Sequence, residues 1–423
     1  MFLINSEVLQ LVRGSFFRVV TLFSKFFILL LANNDGGMEA VGVLGLLLSL
    51  ISVIPIISSF EFYQRLNRKA SRSNISKLSF FHLINFAFSL SVSLFIGLLA
   101  IAIVIPELTY FLKLLVLLSI LGELIYIEVN RFEYAIGKYD SATLNNFSKS
   151  FGVALLSTII VFSTNIDYIC CYLLANTLIT CYLSVRQLKK YFPNKVDFRQ
   201  ILIACKKGYY LKSLKSASSF IYTSIFFNLL DHGDKIIMKF LLSPKALGYY
   251  VVSMSIVSSI KSLIFFGPVA KFYPELLKNI CEKAFVDASL ILKKISIYIF
   301  SMSFVSLLSL KYIIQLEVIN ILTDLKYIAN YELFFIFLSV LTIAQSFSYV
   351  PHYQLYAAGL DANNAQVNFL VVLVFFFLVF STSDLNLLLA IFYKVLAVLC
   401  GLFLKSYLYL KWRLAITNNQ ILA

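Results

Sequence analysis

Residues 78–104 read LSFFHLINFAFSLSVSLFIGLLAIAIV, twenty-seven positions without Asp, Glu, Lys or Arg. At about 1.5 Å per residue, a helix of that length exceeds the roughly 30 Å hydrocarbon core of a bilayer. Similar runs recur on both sides of it. Reading apolar stretches against charge clusters divides the 423 residues into twelve spans, approximately 14–32, 40–62, 78–104, 110–129, 146–163, 168–185, 216–238, 247–269, 295–315, 331–350, 368–383 and 385–405. The chain is 60% hydrophobic and 13% charged, with a mean hydropathy of +0.87. Soluble domains carry about 45–50% apolar and about 25% charged residues. A soluble domain, a disordered chain, collagen and a disulfide scaffold are all excluded. The expected fold is all-α, a polytopic membrane protein of twelve transmembrane helices.

The net charge is +15, which in a soluble protein would point to nucleic acid. Here the positive charge follows the loops. Of the 36 Lys and Arg, twenty-five fall at the termini and in the links after even-numbered spans, counting Lys149 at the start of span 5 with the link before it. Only Lys113, Lys239, Lys245, Lys311 and Lys326 fall on the opposite side, and six lie within spans. Cytoplasmic loops collect Lys and Arg, so both termini are expected in the cytoplasm of a bacterial inner membrane, with no nucleic-acid partner. Arg65, Arg68, Lys69, Arg72 and Lys77 make one basic loop. The longest polar link, 186–215, holds nine Lys and Arg and divides the chain into six-span halves, 1–200 and 201–423. The first run contains Arg18 and Lys25 and lacks a small-residue cleavage site, so it reads as a retained span.

The six cysteines, Cys170, Cys171, Cys181, Cys205, Cys281 and Cys400, form no CxxC pair and read as small packing residues. His82, His232 and His352 are too scattered for a metal site, and no cofactor is expected. The links opposite the basic loops are too short to hold the outer domain of a membrane glycosyltransferase, polymerase or ligase. Walker A, GxGxxG, HExxH, GxSxG and DxD motifs are absent. Together these features argue against an enzyme.

A repeat is visible. Residues 39–44, EAVGVL, lead into span 2 as 245–250, KALGYY, lead into span 8; 134–138, YAIGK, follow span 4 as 356–360, YAAGL, follow span 10. Six spans preserve orientation, so the halves are expected to be parallel repeats about an axis normal to the membrane, enclosing a central cavity.

Three segments resemble the oligosaccharidyl-lipid flippases of the multidrug/oligosaccharidyl-lipid/polysaccharide exporter superfamily. Residues 231–238, DHGDKIIM, followed by 242–250, LSPKALGYY, are similar to that family's span-7 signature. Residues 131–142 with Gly137, Lys138 and Tyr139 resemble its loop after span 4. Ile321, Leu322, Lys326 and Tyr327, with 354–359, QLYAAG, resemble the second half. Two departures stand out: Thr323 precedes Asp324 where a glycine is usual, and Leu360-Asp361 replaces a basic residue. The resemblance implies an O-antigen (Wzx-type) or related flippase. Its substrate would be a polyprenyl-diphosphate-linked oligosaccharide, moved from the cytoplasmic to the periplasmic leaflet, with membrane lipid and other polysaccharide assembly proteins as partners.

Flipping makes no bond. The obstacle is carrying a diphosphate and sugars through a layer where an isolated charge costs at least about 2.5–3.5 kcal/mol. Fixed cations for phosphate and hydroxyl or amide groups for sugars would meet it. In span 1, Gly14, Arg18, Thr21 and Lys25 follow i, i+4, i+7, i+11 along one face. Arginine grips phosphate bidentately and lysine as a point charge; the alternative is snorkelling to the interface. Span 7 repeats the spacing with Ser224, Asn228, Asp231 and Lys235. Asp231 and Lys235 are expected to pair, with Asp231 the candidate for proton or sodium coupling and Asp234 near the outer boundary. Lys261, mid-span 8, is the leading cavity cation, with Ser258 one turn before it. In span 4, Ser119, Glu123, Tyr126 and Asn130 form another polar stripe, and Glu123 is expected either to pair with Arg18 or Lys25 or to be kept protonated by burial. Lys394 is weaker, because the last spans of such proteins often face lipid. The expected function is a flippase working by alternating access. The rivals are a multidrug or organic-cation antiporter, which would need acidic cavity residues, and a membrane polymerase or ligase.

Overall fold

The computed structural model describes residues 6–59, 75–135, 138–164, 166–191, 209–264, 270–315, 325, 328 and 330–421. Among them there is no strand, and ten helices are long and apolar enough to cross a membrane. The first of these, Val19–Ser58, has 40 residues, about twice the bilayer core at about 1.5 Å per residue. It lies in α1 (Ser6–Ser58), whose backbone leaves helical geometry at Gly36 (φ −138°, ψ 19°) and Gly37 (φ 66°, ψ −164°). Glycine adopts positive φ without the clash a Cβ would meet, so spans 1 and 2 are joined end to end through a glycine break.

Span 7 is built differently from the expected straight helix. It runs as α6 (Tyr209–Asn228), a π turn at Leu229–Gly233 and α7 (Asp234–Met238). With α1 divided at its glycines and these pieces taken as one, the helices account for the twelve apolar runs. The others are α2 (Ile75–Val104), α3 (Tyr110–Ala135), α4 (Tyr139–Ser163), α5 (Tyr168–Tyr191), α8 (Pro244–Ile264), α10 (Phe285–Gln315), α11 (Tyr331–Phe347) continued by α12 (Tyr349–Ala357), α13 (Asp361–Phe380) and α14 (Leu387–Ile421). A short helix, α9 (Ala270–Cys281), precedes α10. Several helices overrun their apolar runs at the ends that lead into basic links: α4 begins at Tyr139, before residue 146, and α14 continues past residue 405 to Ile421. Hydropathy marks only what the bilayer solvates, whereas the hydrogen-bond ladder propagates on into polar sequence. One consequence is a correction to the charge count: Lys149, taken with the loop cations, lies inside α4.

The chain forms two compact units, Met1–Phe240 and Leu241–Ala423. The division expected at residue 200 lies outside the described residues, and span 7 groups with the first unit, where α6, the π turn and α7 pack on α1. Within this unit α1 also packs on α2, α3, α4 and α5, and α3 packs on α5. Its core includes Leu44, Leu47, Val116, Ile120 and Leu124, all sealed from the surface. In the second unit α14 packs on α8, α11, α12 and α13, around Tyr250, Leu338, Phe375 and Ile391. Phe95, Phe162, Phe377 and Phe403 stay exposed, as befits helices that are apolar all round and meet lipid.

Candidate functional site

The polar stripe of α3 faces inward. Ser119, Glu123, Tyr126 and Asn130 are 0%, 9%, 2% and 6% exposed. Their partners come from α4 and α5. Tyr126 Oη donates to Asn146 Oδ1 at 2.8 Å, and Asn130 Nδ2 donates to the same oxygen at 3.2 Å. Gln187 Nε2 donates to Asn130 Oδ1 at 3.4 Å, and the Ser119 and Thr177 hydroxyls meet at 2.9 Å. Lys149 donates to Glu123, and its ammonium stands 4.6 Å from the Tyr126 ring centroid. The ion pair that Glu123 makes among the described residues is with Lys149, a partner outside the expected Arg18 and Lys25. Helix α5 presents a second stripe, Asn176, Thr180, Ser184 and Gln187, each at most 3% exposed. The contacts 119–177 and 130–187 keep nearly one register, as parallel helices require. Gly122 sits between them: a Cβ there would stand 2.8 Å from Thr180 Oγ1, so the missing side chain sets how closely α3 and α5 approach.

Farther along α3, Arg131 Nη1 donates to Glu128 Oε1 at 2.8 Å and to Ser59 Oγ at 2.6 Å. The wholly buried Glu133 accepts from Ser141 Oγ and Asn145 Nδ2, both at 2.8 Å. A buried carboxylate is tolerable when its charge is matched or its oxygens are hydrogen-bonded, and α4 supplies both kinds of partner. Neither Lys149 nor Asn146 was singled out from the sequence. They lie at i and i+3 within the polar N-terminal part of α4, in the first turn of span 5.

The span 1 candidates are less developed. The Arg18 side chain lies outside what the structure describes. Thr21 Oγ1 returns to Phe17 O of its own helix at 2.8 Å, and Lys25 is exposed. In span 7, Asn228 Nδ2 donates to Ser224 O at 2.8 Å and to Ser224 Oγ at 3.2 Å, as the i, i+4 spacing predicts. Beyond Asn228 the π turn shifts the register. Lys235 Nζ lies 3.6 Å from Asp234 Oδ1 and donates to the carbonyl oxygen of Asp231 at 3.3 Å. Asp234, expected to cap or pair near the outer boundary, pairs with Lys235 and is completely buried within the protein.

In the second unit Lys261 is 7% exposed, on α8; Ser258 is exposed. Lys394 is 1% exposed, with its ammonium 5.9 Å from the Tyr250 ring centroid. It is a core residue of α14, contrary to the expectation that its span faces lipid. Lys405 is 5% exposed. Among the described residues of this unit no Asp or Glu is buried. Nor do the described residues anywhere gather three His, Cys, Asp or Glu into a metal-holding group.

The fold is that of MATE transporters of the MOP superfamily. An inward-facing multidrug resistance MATE family transporter superposes with a TM-score of 0.63, at 12% identity over 96% of this chain and 98% of that one. The eukaryotic MATE transporter AtDTX14 gives 0.57, at 11% identity over 96% and 97%. A MOP superfamily transporter from Pyrococcus furiosus, whose binding pocket is described as having reverse polarity, gives 0.52, at 14% identity over 96% and 95%. No family model and no curated protein matches the chain.

Proposed function

We propose that this chain is a flippase for a polyprenyl-diphosphate-linked oligosaccharide, an O-antigen or capsule repeat unit, and works by alternating access. One observation carries the proposal: three lysines, Lys261, Lys394 and Lys405, are buried in the second unit. Charged side chains within spans are rare and mark substrate pathways; a cationic interior suits an anionic cargo. A transporter of like fold whose binding pocket has reverse polarity, described as suggesting a different function, is consistent with a change of pocket charge on this fold. The resemblance of 231–250 to the flippase signature supports the same substrate class. Arg18, Lys25 and Lys235 are proposed as further phosphate-binding cations. The proposed setting is a bacterial inner membrane with both termini in the cytoplasm.

Multidrug antiport is the second reading, favoured by the multidrug transporter of like fold. It would place an organic cation against the buried carboxylates of the first unit. Glu123, Glu128 and Asp234 are, however, already matched by Lys149, Arg131 and Lys235.

A deletion strain tests the choice. Lipid-linked units should accumulate on the inner leaflet, and Lys261→Arg should restore export in part whereas Lys261→Glu should not. Export at the wild-type level by Lys261→Glu would overturn the anionic cargo.

A further inference from the structure

The two units handle buried charge differently. In the first, Glu123, Glu128 and Asp234 each face a cation, and Glu133 accepts two hydrogen bonds from neutral groups. In the second, the buried charge among the described residues is wholly cationic. A diphosphate responds to net charge. Sugar hydroxyl and acetamido groups respond instead to directional donors and acceptors in neutral surroundings.

The α3–α4–α5 network has that neutral character. Asn146 Oδ1 is occupied twice, by Tyr126 and Asn130, which fixes the opposite edge of its amide as the donor. That nitrogen makes no hydrogen bond among the described residues, and the side chain is only half-buried, so a ligand can reach it. Behind it, Gln187 orients Asn130, and Asn130 orients Asn146. Gln187 is 3% exposed, yet its Oε1 has no partner, and about three turns along the same face Asn176 Nδ2 also has none. Unmet donors and acceptors inside a protein cost free energy and are uncommon without a use.

We propose that this network is the sugar-recognising subsite of the carrier. Asn146 would touch the hydroxyl or acetamido groups of the lipid-linked oligosaccharide, with Tyr126, Asn130 and Gln187 as positioning residues. The proposal rests on the flippase reading and adds to it which side chains select the sugar.

The full chain, purified into lipid nanodiscs, is titrated with two probes: a polyprenyl diphosphate without sugar, and the same lipid bearing N-acetylglucosamine. The wild type should bind the sugar-bearing lipid more tightly by roughly tenfold, the equivalent of one or two neutral hydrogen bonds. Asn146→Leu should erase that advantage and leave the affinity for the bare lipid unchanged; Gln187→Met should reduce the advantage part-way. Lys261→Met should weaken both probes by the same factor. If Asn146→Leu does not survive purification, Asn146→Ser carries the same expectation. A sugar advantage that persists in the Asn146 variant, or an equal loss for both lipids, overturns the subsite alone. Equal binding of both lipids by the wild type does so too. A wild type that binds neither lipid overturns the flippase itself.

Discussion

The Lys149 ammonium of α4 donates to the Glu123 carboxylate of α3, with the Tyr126 ring beneath it. Twenty-six residues separate the two in sequence, yet they neutralise each other inside the first unit. Their side chains are 17% and 12% exposed, so little water is available to replace either partner. This is why α4 tolerates a lysine in the first turn of its apolar run.

The pair is expected to behave as a unit. Glu123→Gln or Lys149→Met alone leaves one charge buried and should lower stability by about 3 kcal/mol, whereas an apolar double variant, Glu123→Leu with Lys149→Met, should recover most of it. Thermal unfolding of the four proteins in one detergent closes the cycle. Additive losses would show that the two groups do not depend on each other.

Gly122 is expected to be irreplaceable unless its neighbour shrinks. A Cβ at Gly122 would stand 2.8 Å from Thr180 Oγ1, so Gly122→Ala must push α3 from α5. Overpacking of this kind costs about 1–3 kcal/mol. Gly122→Ala combined with Thr180→Ala should regain stability, because the Thr180 hydroxyl otherwise bonds only within α5, to Asn176 O and Thr177 O. A double variant as unstable as the single one would locate the strain elsewhere.

Two carboxylates in the links between spans set opposite pH trends. Lys239 donates to Glu107 and holds its carboxyl below the usual range. Its contribution is therefore present above the ordinary glutamate value of about 4.3 and is lost as pH falls through the lower folded value. The Glu107 side chain is 60% exposed, so the effect should stay under about 1 kcal/mol. Burial, and next a hydrogen bond with Asp35, raises Asp167. Its folded form keeps a proton above the ordinary aspartate value of about 3.9, so stability should decline as pH rises from there through the folded value. Melting temperatures of Glu107→Gln and Asp167→Asn against pH should show these losses flattened; unchanged slopes would refute both assignments.

Reporter fusions check the orientation. From the bias in Lys and Arg, fusions at residues 5, 200 and 418 should report the cytoplasm, and those at 36 and 243 the opposite side. Moving Lys149 into α4 leaves that bias almost unchanged. Termini on opposite sides would contradict both the charge rule and the repeat.

The class of fold was legible in the sequence because bilayer thickness and backbone hydrogen bonding leave few choices: apolar runs of about twenty residues must be helices. The inward stripe of α3 was legible too, since Ser119, Glu123, Tyr126 and Asn130 follow helical spacing. Partnership was not. A periodic pattern says which residues share a face but not which helix that face meets, so the match of Glu123 with Lys149 and the burial of Lys394 came only from packing. The π turn at Leu229–Gly233 shows the same limit within one helix. An extra residue in one turn rotates everything after it, moving the Lys235 ammonium to Asp234 and the Asp231 carbonyl. Spacing counted through such a turn carries no memory of the rotation, and only the folded backbone records it.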